Sequence, residues 1–228
     1  MLIKPSPRIS TYSLCEPTAL IKFSKIWVKN IWKFFLGRKR FLLITPPFFK
    51  IQLAFDRCNN SMFTVRIRDA IDWCTTKQIY IDQDYSFKSL KRREDIDGYY
   101  NLLKREGISP LIVDCGANIG LATKYFSQTY PFAQIIAIEP DKANIEQARV
   151  NNPSSNIDFF EAAVASTEAR GSIIDIGLGN NAFRVAPNSD GNLTMLSINS
   201  LVKDAESKKL QPFIIKIDIE GFESELFS

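Results

Sequence analysis

The chain has 228 residues, of which 45% are hydrophobic and 24% charged, with a formal net charge of +4. This is the size of one large or two small domains and the composition of an ordinary globular protein with a sizeable core, and the charge is too weak by itself to argue for nucleic acid. Histidine is absent, which removes the commonest general base, and the four cysteines (Cys15, Cys58, Cys74 and Cys115) form no CxxC pair, so neither zinc nor a disulfide ladder is suggested. Reduced thiols and an N-terminus, MLIKPSPRIS, without an apolar signal segment make a cytoplasmic protein the expectation, in which the sequons at Asn59 and Asn192 carry no sugar.

Residues 1–16 read as an irregular tail, and residues 18–36 predict a helix. Lys22, Lys25, Lys29 and Lys33 recur at steps of three and four on one face, while Ile21, Trp27, Val28, Ile31, Trp32 and Phe35 fill much of the rest. Gly37 supplies a stop, and Arg38-Lys39-Arg40 follows. Such a helix suits peripheral contact of residues 18–40 with an anionic membrane surface, and equally suits packing on a domain with its lysines in solvent. A transmembrane span is not expected, because a charge at mid-bilayer costs about 2.5–3.5 kcal/mol on insertion scales.

Pro46-Pro47 marks a break, and residues 63–68 (FTVRIR) alternate as a half-buried strand. Residues 72–90 are mixed, with β-prone pieces such as QIYI; residues 91–106 predict a helix in their second half, stopped by Gly107. From Leu111 the pattern is regular. LIVDC is a buried strand, Ile119–Tyr130 a helix, QIIAIE (134–139) a second strand, and Asp141 a cap for a helix to about Asn151. IDFF (157–160) is a third strand, a β-prone insertion follows, Leu201–Lys209 is helical, and FIIKID is a fourth strand. Alternating strands and helices imply a parallel sheet with helices on its faces. The expected organisation is a tail and helix at 1–50, an extension at 51–110, and an α/β domain at 111–228.

The first regular strand runs into Gly116-Ala117-Asn118-Ile119-Gly120. A dinucleotide fingerprint places glycines as G-x-G-x-x-G, and a P-loop needs G-K-[ST]. Here Asn118 stands between two glycines four positions apart and no lysine follows Gly120, so NAD and ATP fit badly. Asp114 ends the strand, where a carboxylate would repel a pyrophosphate and suit a cationic ligand. Glu139 ends the next strand, where an acid can accept both hydroxyls of a ribose. A ligand with a ribose, a positive end and no phosphate is suggested, and S-adenosylmethionine meets all three conditions.

VDCGANIG, IAIEPD, IDFFEAAVAS and above all IIKIDIEGFESELF resemble the FkbM-type branch of the class I S-adenosylmethionine-dependent methyltransferases, over roughly residues 63–228. The resemblance implies a Rossmann-like α/β sheet with helices on both faces, preceded by an N-terminal helical and β extension. It implies O-methylation of a hydroxyl on a sugar, another small molecule or a glycoconjugate, with no nucleic-acid partner. By position, Asp114, Gly116, Ala117, Asn118 and Gly120 would line the methionine end of the cofactor. Glu139 would bind the ribose, and Glu161 and Ala162, just after the third strand, would lie near the adenine. Asp218, Glu220 and Gly221 would form the floor between cofactor and acceptor; Phe222 stands where a small residue is frequent. Without histidine, Asp218 or Glu220 is the candidate base, and no metal is required. Alternatively, Asp218 caps the following helix and Glu220 occupies its first turn.

A full class I sheet continues beyond the fourth strand, so the sheet is expected to be incomplete at its C-terminal edge, with a missing segment or a partner completing it. The alternative to an O-methyltransferase is a non-catalytic remnant that binds S-adenosylmethionine weakly or serves as an interaction module.

Overall fold

A computed structural model describes residues 17–47, 49–175 and 183–219. The chain forms two compact units that divide after Asp82.

The first unit begins with α1 (Pro17–Phe35), followed by strands β1 (Phe41–Leu43), β2 (Ile51–Asp56) and β3 (Ser61–Arg66) in an antiparallel sheet of order β1-β2-β3. The β2–β3 turn runs through Asn60 at φ 49, a left-handed conformation that asparagine tolerates, so the Asn59-Asn60-Ser61 stretch is turn chemistry. Helix α1 is docked by one row of residues. Phe23 meets Trp73 edge-on at 6.2 Å and Phe34 meets Phe55 at 6.0 Å. The Trp27 indole donates to the Leu43 carbonyl, and buried Asn30 donates to the Phe41 carbonyl and accepts from the Leu43 amide. Asn30 thereby satisfies backbone groups of β1 from the helix side, which fixes the rotation of α1.

Asp69 caps α2 (Ala70–Thr76) by accepting from the Ile71 and Asp72 amides, and a π-helical turn (Lys77–Asp82) continues from it. The β-prone QIYI stretch therefore stays helical. The capped helix has already nucleated the chain, and burial of Ile79, Tyr80 and Ile81 outweighs their strand preference. Tyr80 packs edge-on against Phe41 at 5.0 Å and lies 5.2 Å from Phe63. Beside this core, Arg40 forms a two-pronged pair with fully buried Asp56, Nε to Oδ1 at 2.8 Å and Nη2 to Oδ2 at 2.7 Å.

The second unit carries a short 3-10 turn (Phe87–Ser89), α3 (Arg93–Arg105), β4 (Ser109–Cys115), α4 (Leu121–Thr129), β5 (Gln134–Glu139), α5 (Lys142–Asn151) and β6 (Ile157–Ala165). Then come β7 (Ala169–Asp175), β8 (Phe183–Pro187), β9 (Leu193–Ser197), α6 (Ile198–Ser207) and β10 (Leu210–Ile217). Their sheet has the order β10-β4-β5-β6-β9-β7-β8. Strands β10, β4, β5, β6 and β9 are parallel, and β7 runs antiparallel to both β8 and β9. Leu111, Val113 and Cys115 share a core cluster with Leu201 and Ala205 of α6, whereas Asp114 meets Thr123 of α4. Helices thus cover both faces, as the two-residue alternation of a strand requires. Tyr100 of α3, Tyr130 and Phe213 of β10 form an aromatic cluster with centroids 5.0–5.7 Å apart, which seats β10 beside β4.

This is a Rossmann-like α/β fold. The chain proceeds from β4 outward to β5 and β6, then returns to place β10 on the other side of β4. Such a reversal opens a crevice outside the carboxyl ends of the two strands, where open α/β sheets bind ligands. Among the described residues, β10 is an edge of the sheet.

Asp56→Ala should destabilise the first unit by about 3–5 kcal/mol, because it leaves the Arg40 guanidinium buried without its counter-charge. Denaturant unfolding of the variant against the parent protein measures this loss.

Candidate functional site

The carboxyl end of β4 turns through three residues with positive φ, Gly116 (+77°), Asn118 (+49°) and Gly120 (+76°). Gly116 is needed for space as well as conformation, since a Cβ there would stand 2.1 Å from the Asp218 carbonyl oxygen. At Gly120, a Cβ would collide with Asn152 and Ala148 of the α5 end. Asn151 and Asn152 donate side-chain N–H groups to the carbonyls of Ile119 and Gly120, locking the turn to α5.

Every amide of the turn is engaged inside the protein. Gly116 and Ala117 both donate to the Ile138 carbonyl, Asn118 to Glu139 Oε2 at 2.8 Å, Ile119 to the Asn118 side chain and Gly120 to the Ala117 carbonyl. A pyrophosphate is held by amides that converge outward on it; these five point elsewhere. The turn is a rigid wall rather than an anion cradle.

Glu139 closes β5 and is buried. Its carboxylate accepts from the Asn118 and Asp141 amides and from Asn144 Nδ2. Burial pushes its pKa up, and the three donors pull against that shift. Asp141 caps α5 by accepting from the Asn144 amide, so the start of α5 and the glycine turn are both tied to one side chain at the strand end.

Asp114 has no exposed surface. Its Oδ2 accepts from Thr123 Oγ1 at 2.6 Å, and its Oδ1 lies 2.9 Å from Lys216 Nζ. Asp114 and Lys216 are neighbours in the β4–β10 register. The Lys216 ammonium also donates to the Gly116 carbonyl at 2.7 Å and stands 3.8 Å from Asp218 Oδ2. Burial opposes the Lys216 charge, but Asp114, Tyr85 and Asp218 together more than offset it, and its pKa is held above the ordinary lysine value. The negative charge expected to meet a cationic ligand is thus matched within the protein, and Asp114 acts on the turn through Lys216.

Asp218 follows β10, with its side chain 66% exposed and its amide bonded to the Cys115 carbonyl. Its Oδ2 accepts from the Tyr85 hydroxyl at 3.1 Å. Tyr85 sits against Tyr125 and Phe126, and burial first, with Asp218 and Asp114 adding to it, raises its pKa, so it is a neutral donor at physiological pH. Cys115 is buried beside Asp114 and its thiol is pushed up to about 12, so it does not serve as a nucleophile.

The structure therefore gathers Asp114, Gly116, Ala117, Asn118, Gly120, Glu139 and Asp218 at the carboxyl ends of β4, β5 and β10. Strand β6 runs on to Ala165, so Glu161 and Ala162 lie within it rather than after it. Glu161 is exposed and pairs with Glu139 in the register, whereas the Ala162 side chain belongs to the core cluster on the α6 face. Glu220, Gly221 and Phe222 lie outside the described residues. Two further residues join the site, Lys216 and Tyr85. The first stands in the KID motif, two residues before Asp218; the second lies in an irregular segment with no sequence signal of its own.

A switch-point crevice walled by a glycine turn and flanked by acids at the strand ends is the Rossmann-like arrangement of class I methyltransferases. The family model for the methyltransferase FkbM domain matches residues 114–228, half of the chain. The chain belongs to that family. Methyltransferase sdnD of Sordaria araneosa is 29% identical over 107 residues, which cover 44% of this chain and 38% of that relative. Two structures of the plantazolicin methyltransferase BpumL, with monoazolic and pentazolic desmethylPZN analogues and SAH, are similar at 18% and 15% identity. They cover 34% and 63% of this chain and 37% and 43% of theirs, with TM-scores of 0.23 and 0.24. That likeness is too slight to bear on the fold, which rests on the strand order.

Lys216→Met should cost about 3–5 kcal/mol by leaving the Asp114 carboxylate buried without its partner, and Asp114→Asn combined with Lys216→Met should recover part of that loss. Chemical denaturation of the two variants measures both; equal stability of single and double variants would contradict the coupling.

Proposed function

We propose that this chain binds S-adenosylmethionine at the β4–β10 crevice and transfers its methyl group to a hydroxyl of a sugar, another small molecule or a glycoconjugate. The carrying observation is the turn itself, whose five amides are spent internally while Glu139 and Asp218 stand at the flanking strand ends. This combination favours a nucleoside ligand without phosphate. The residues fit the cofactor. Gly116 leaves backbone room beside Asp218, and Glu139 is already oriented by three donors. A carboxylate offers about four acceptor positions, so a ribose hydroxyl can be added to them.

When bound, the cofactor supplies an electrophilic methyl group on a sulfonium for in-line displacement. The protein's task is then to place the acceptor oxygen and remove its proton. Positioning supplies much of the acceleration, up to roughly 7–11 kcal/mol in favourable systems. Asp218 is the general base in this reading. Its carboxylate is open to solvent, and Tyr85 holds Oδ2, leaving Oδ1 as the atom that takes the proton. Glu220 is the second candidate from sequence. Lys216 is a positioning residue, since its ammonium joins the turn carbonyl to the acids on either side.

In calorimetric titration, S-adenosylmethionine should bind the chain and NAD should not. Glu139→Ala should weaken binding by about tenfold or more, whereas Asp218→Asn should retain binding and lower methyl transfer by about 100-fold, the lower range for loss of a general base. Parental affinity in Glu139→Ala, or NAD binding as tight as that of S-adenosylmethionine, would overturn the assignment.

A further inference from the structure

Helix α1 presents three rows of residues. Trp27, Asn30 and Phe34 face the β1–β3 sheet, Phe23 faces Trp73 of α2, and the contacts described above hold them there. Ile21, Val28, Trp32 and Phe35, at steps of seven, four and three, form a second row that faces outward, with Trp32 68% and Phe35 75% exposed. Lys22, Lys25, Lys29 and Lys33 form a third row alongside it, the first three exposed and Lys33 half-buried. Because Asn30 and Trp27 pin the helix to β1, the outward apolar row cannot rotate inward. It runs for about 21 Å, at 1.5 Å per helical residue.

The segment that carries this row is charged with one sign. Residues 17–55 hold eight basic side chains (Lys22, Lys25, Lys29, Lys33, Arg38, Lys39, Arg40 and Lys50) and no acid. Arg40 is used inward on Asp56 and Lys39 on the Ile81 carbonyl. Among the described residues, none of the four α1 lysines forms an ion pair with an acid.

We infer that α1 is a docking surface for an anionic lipid bilayer, lying in the plane of the headgroups with Ile21, Val28, Trp32 and Phe35 inserted and the lysine row on the lipid phosphates. An anionic bilayer, apolar beneath and negative above, satisfies both rows together. A nucleic acid would engage the lysines and leave the apolar row in water. A second copy packed through the same helix would bring no acid on α1 to meet the lysines. No helix among the described residues is long and apolar enough to cross a membrane, so the helix lies on the bilayer rather than through it.

The test is sedimentation of the full chain with vesicles of phosphatidylcholine alone, or with about a third phosphatidylserine, at low and high salt. The chain should sediment with the anionic vesicles only, and high salt should release it. Each basic residue near an anionic surface contributes about fivefold in partitioning, so Lys25→Glu with Lys29→Glu should lower binding by about 25-fold or more. Trp27 and Trp73 are engaged inside the unit, so the fluorescence blue shift on vesicle addition should come from Trp32 and vanish in Trp32→Phe while that variant still sediments. All these side chains are on the surface, and circular dichroism of each variant should match the parent. Failure to sediment with anionic vesicles would overturn the inference, as would unchanged binding by the double variant. So would concentration-dependent dimerisation that Trp32→Ser abolishes, without vesicle binding, which would assign the row to a second copy.

Discussion

The ammonium of Lys216 is the charge on which the carboxyl end of the sheet depends. Three features that would otherwise be costly are made compatible by it. Asp114 has no exposure to water, and a carboxylate in that position needs a counter-charge. The turn at Gly116 brings its own carbonyl inward, and that oxygen needs a donor. Asp218 must stand close to Asp114 without mutual repulsion becoming prohibitive. One side chain on β10, directly beside Asp114 in the register, answers all three. Its side chain is buried and its ammonium is held by Asp114 and the Gly116 carbonyl, so the charge is fixed in place rather than free to sample solvent.

This arrangement changes what the acid at the end of β4 does. A sulfonium or ammonium arriving at the crevice would not meet Asp114 directly, because that carboxylate is already paired. Instead the pair sets the shape of the turn, and the turn's amides are drawn inward to Ile138, Glu139 and the turn itself. The absence of outward amides from a glycine turn is what separates this site from those built for pyrophosphate. Glu139 is a structural acceptor that the proposed reading also makes the ribose ligand, and Asp218, tied to Tyr85, is exposed where Asp114 and Glu139 are buried. Packing, backbone hydrogen bonding and chemistry meet at the same three strand ends.

Much of the α/β unit is legible in the sequence because its signals are local. Buried parallel strands read as continuous apolar runs, and the crevice is marked by Cys115 and Glu139 at the ends of β4 and β5 and by Asp218 just after β10. The cap at Asp141 and the glycine turn are likewise written within a few residues of where they act. What escapes the sequence is long-range or decided by burial. Strand β1 has only three residues, and β2 buries Gln52, Ala54 and Asp56 rather than the alternating Ile51, Leu53 and Phe55, so β2 is placed by pairing with both neighbours. QIYI has strand-forming residues but is carried along by a capped helix. The Tyr85–Asp218 bond joins residues 133 apart, and the Asp114–Lys216 pair joins residues 102 apart through the register of two parallel strands; neither leaves a local trace.

The most direct test of this account is the charge on Lys216 itself, followed by NMR of the protein with its lysine side chains isotopically labelled and the resonance identified by its loss in Lys216→Arg. Its pKa is raised in the folded state, so the stabilisation is full below the unfolded lysine value of about 10.4 and is lost only as pH rises through the folded value. The account predicts one lysine that stays protonated to higher pH than the surface lysines, which titrate near the ordinary value of about 10.4. A Lys216 signal that titrates with the surface lysines, or below them, would contradict it.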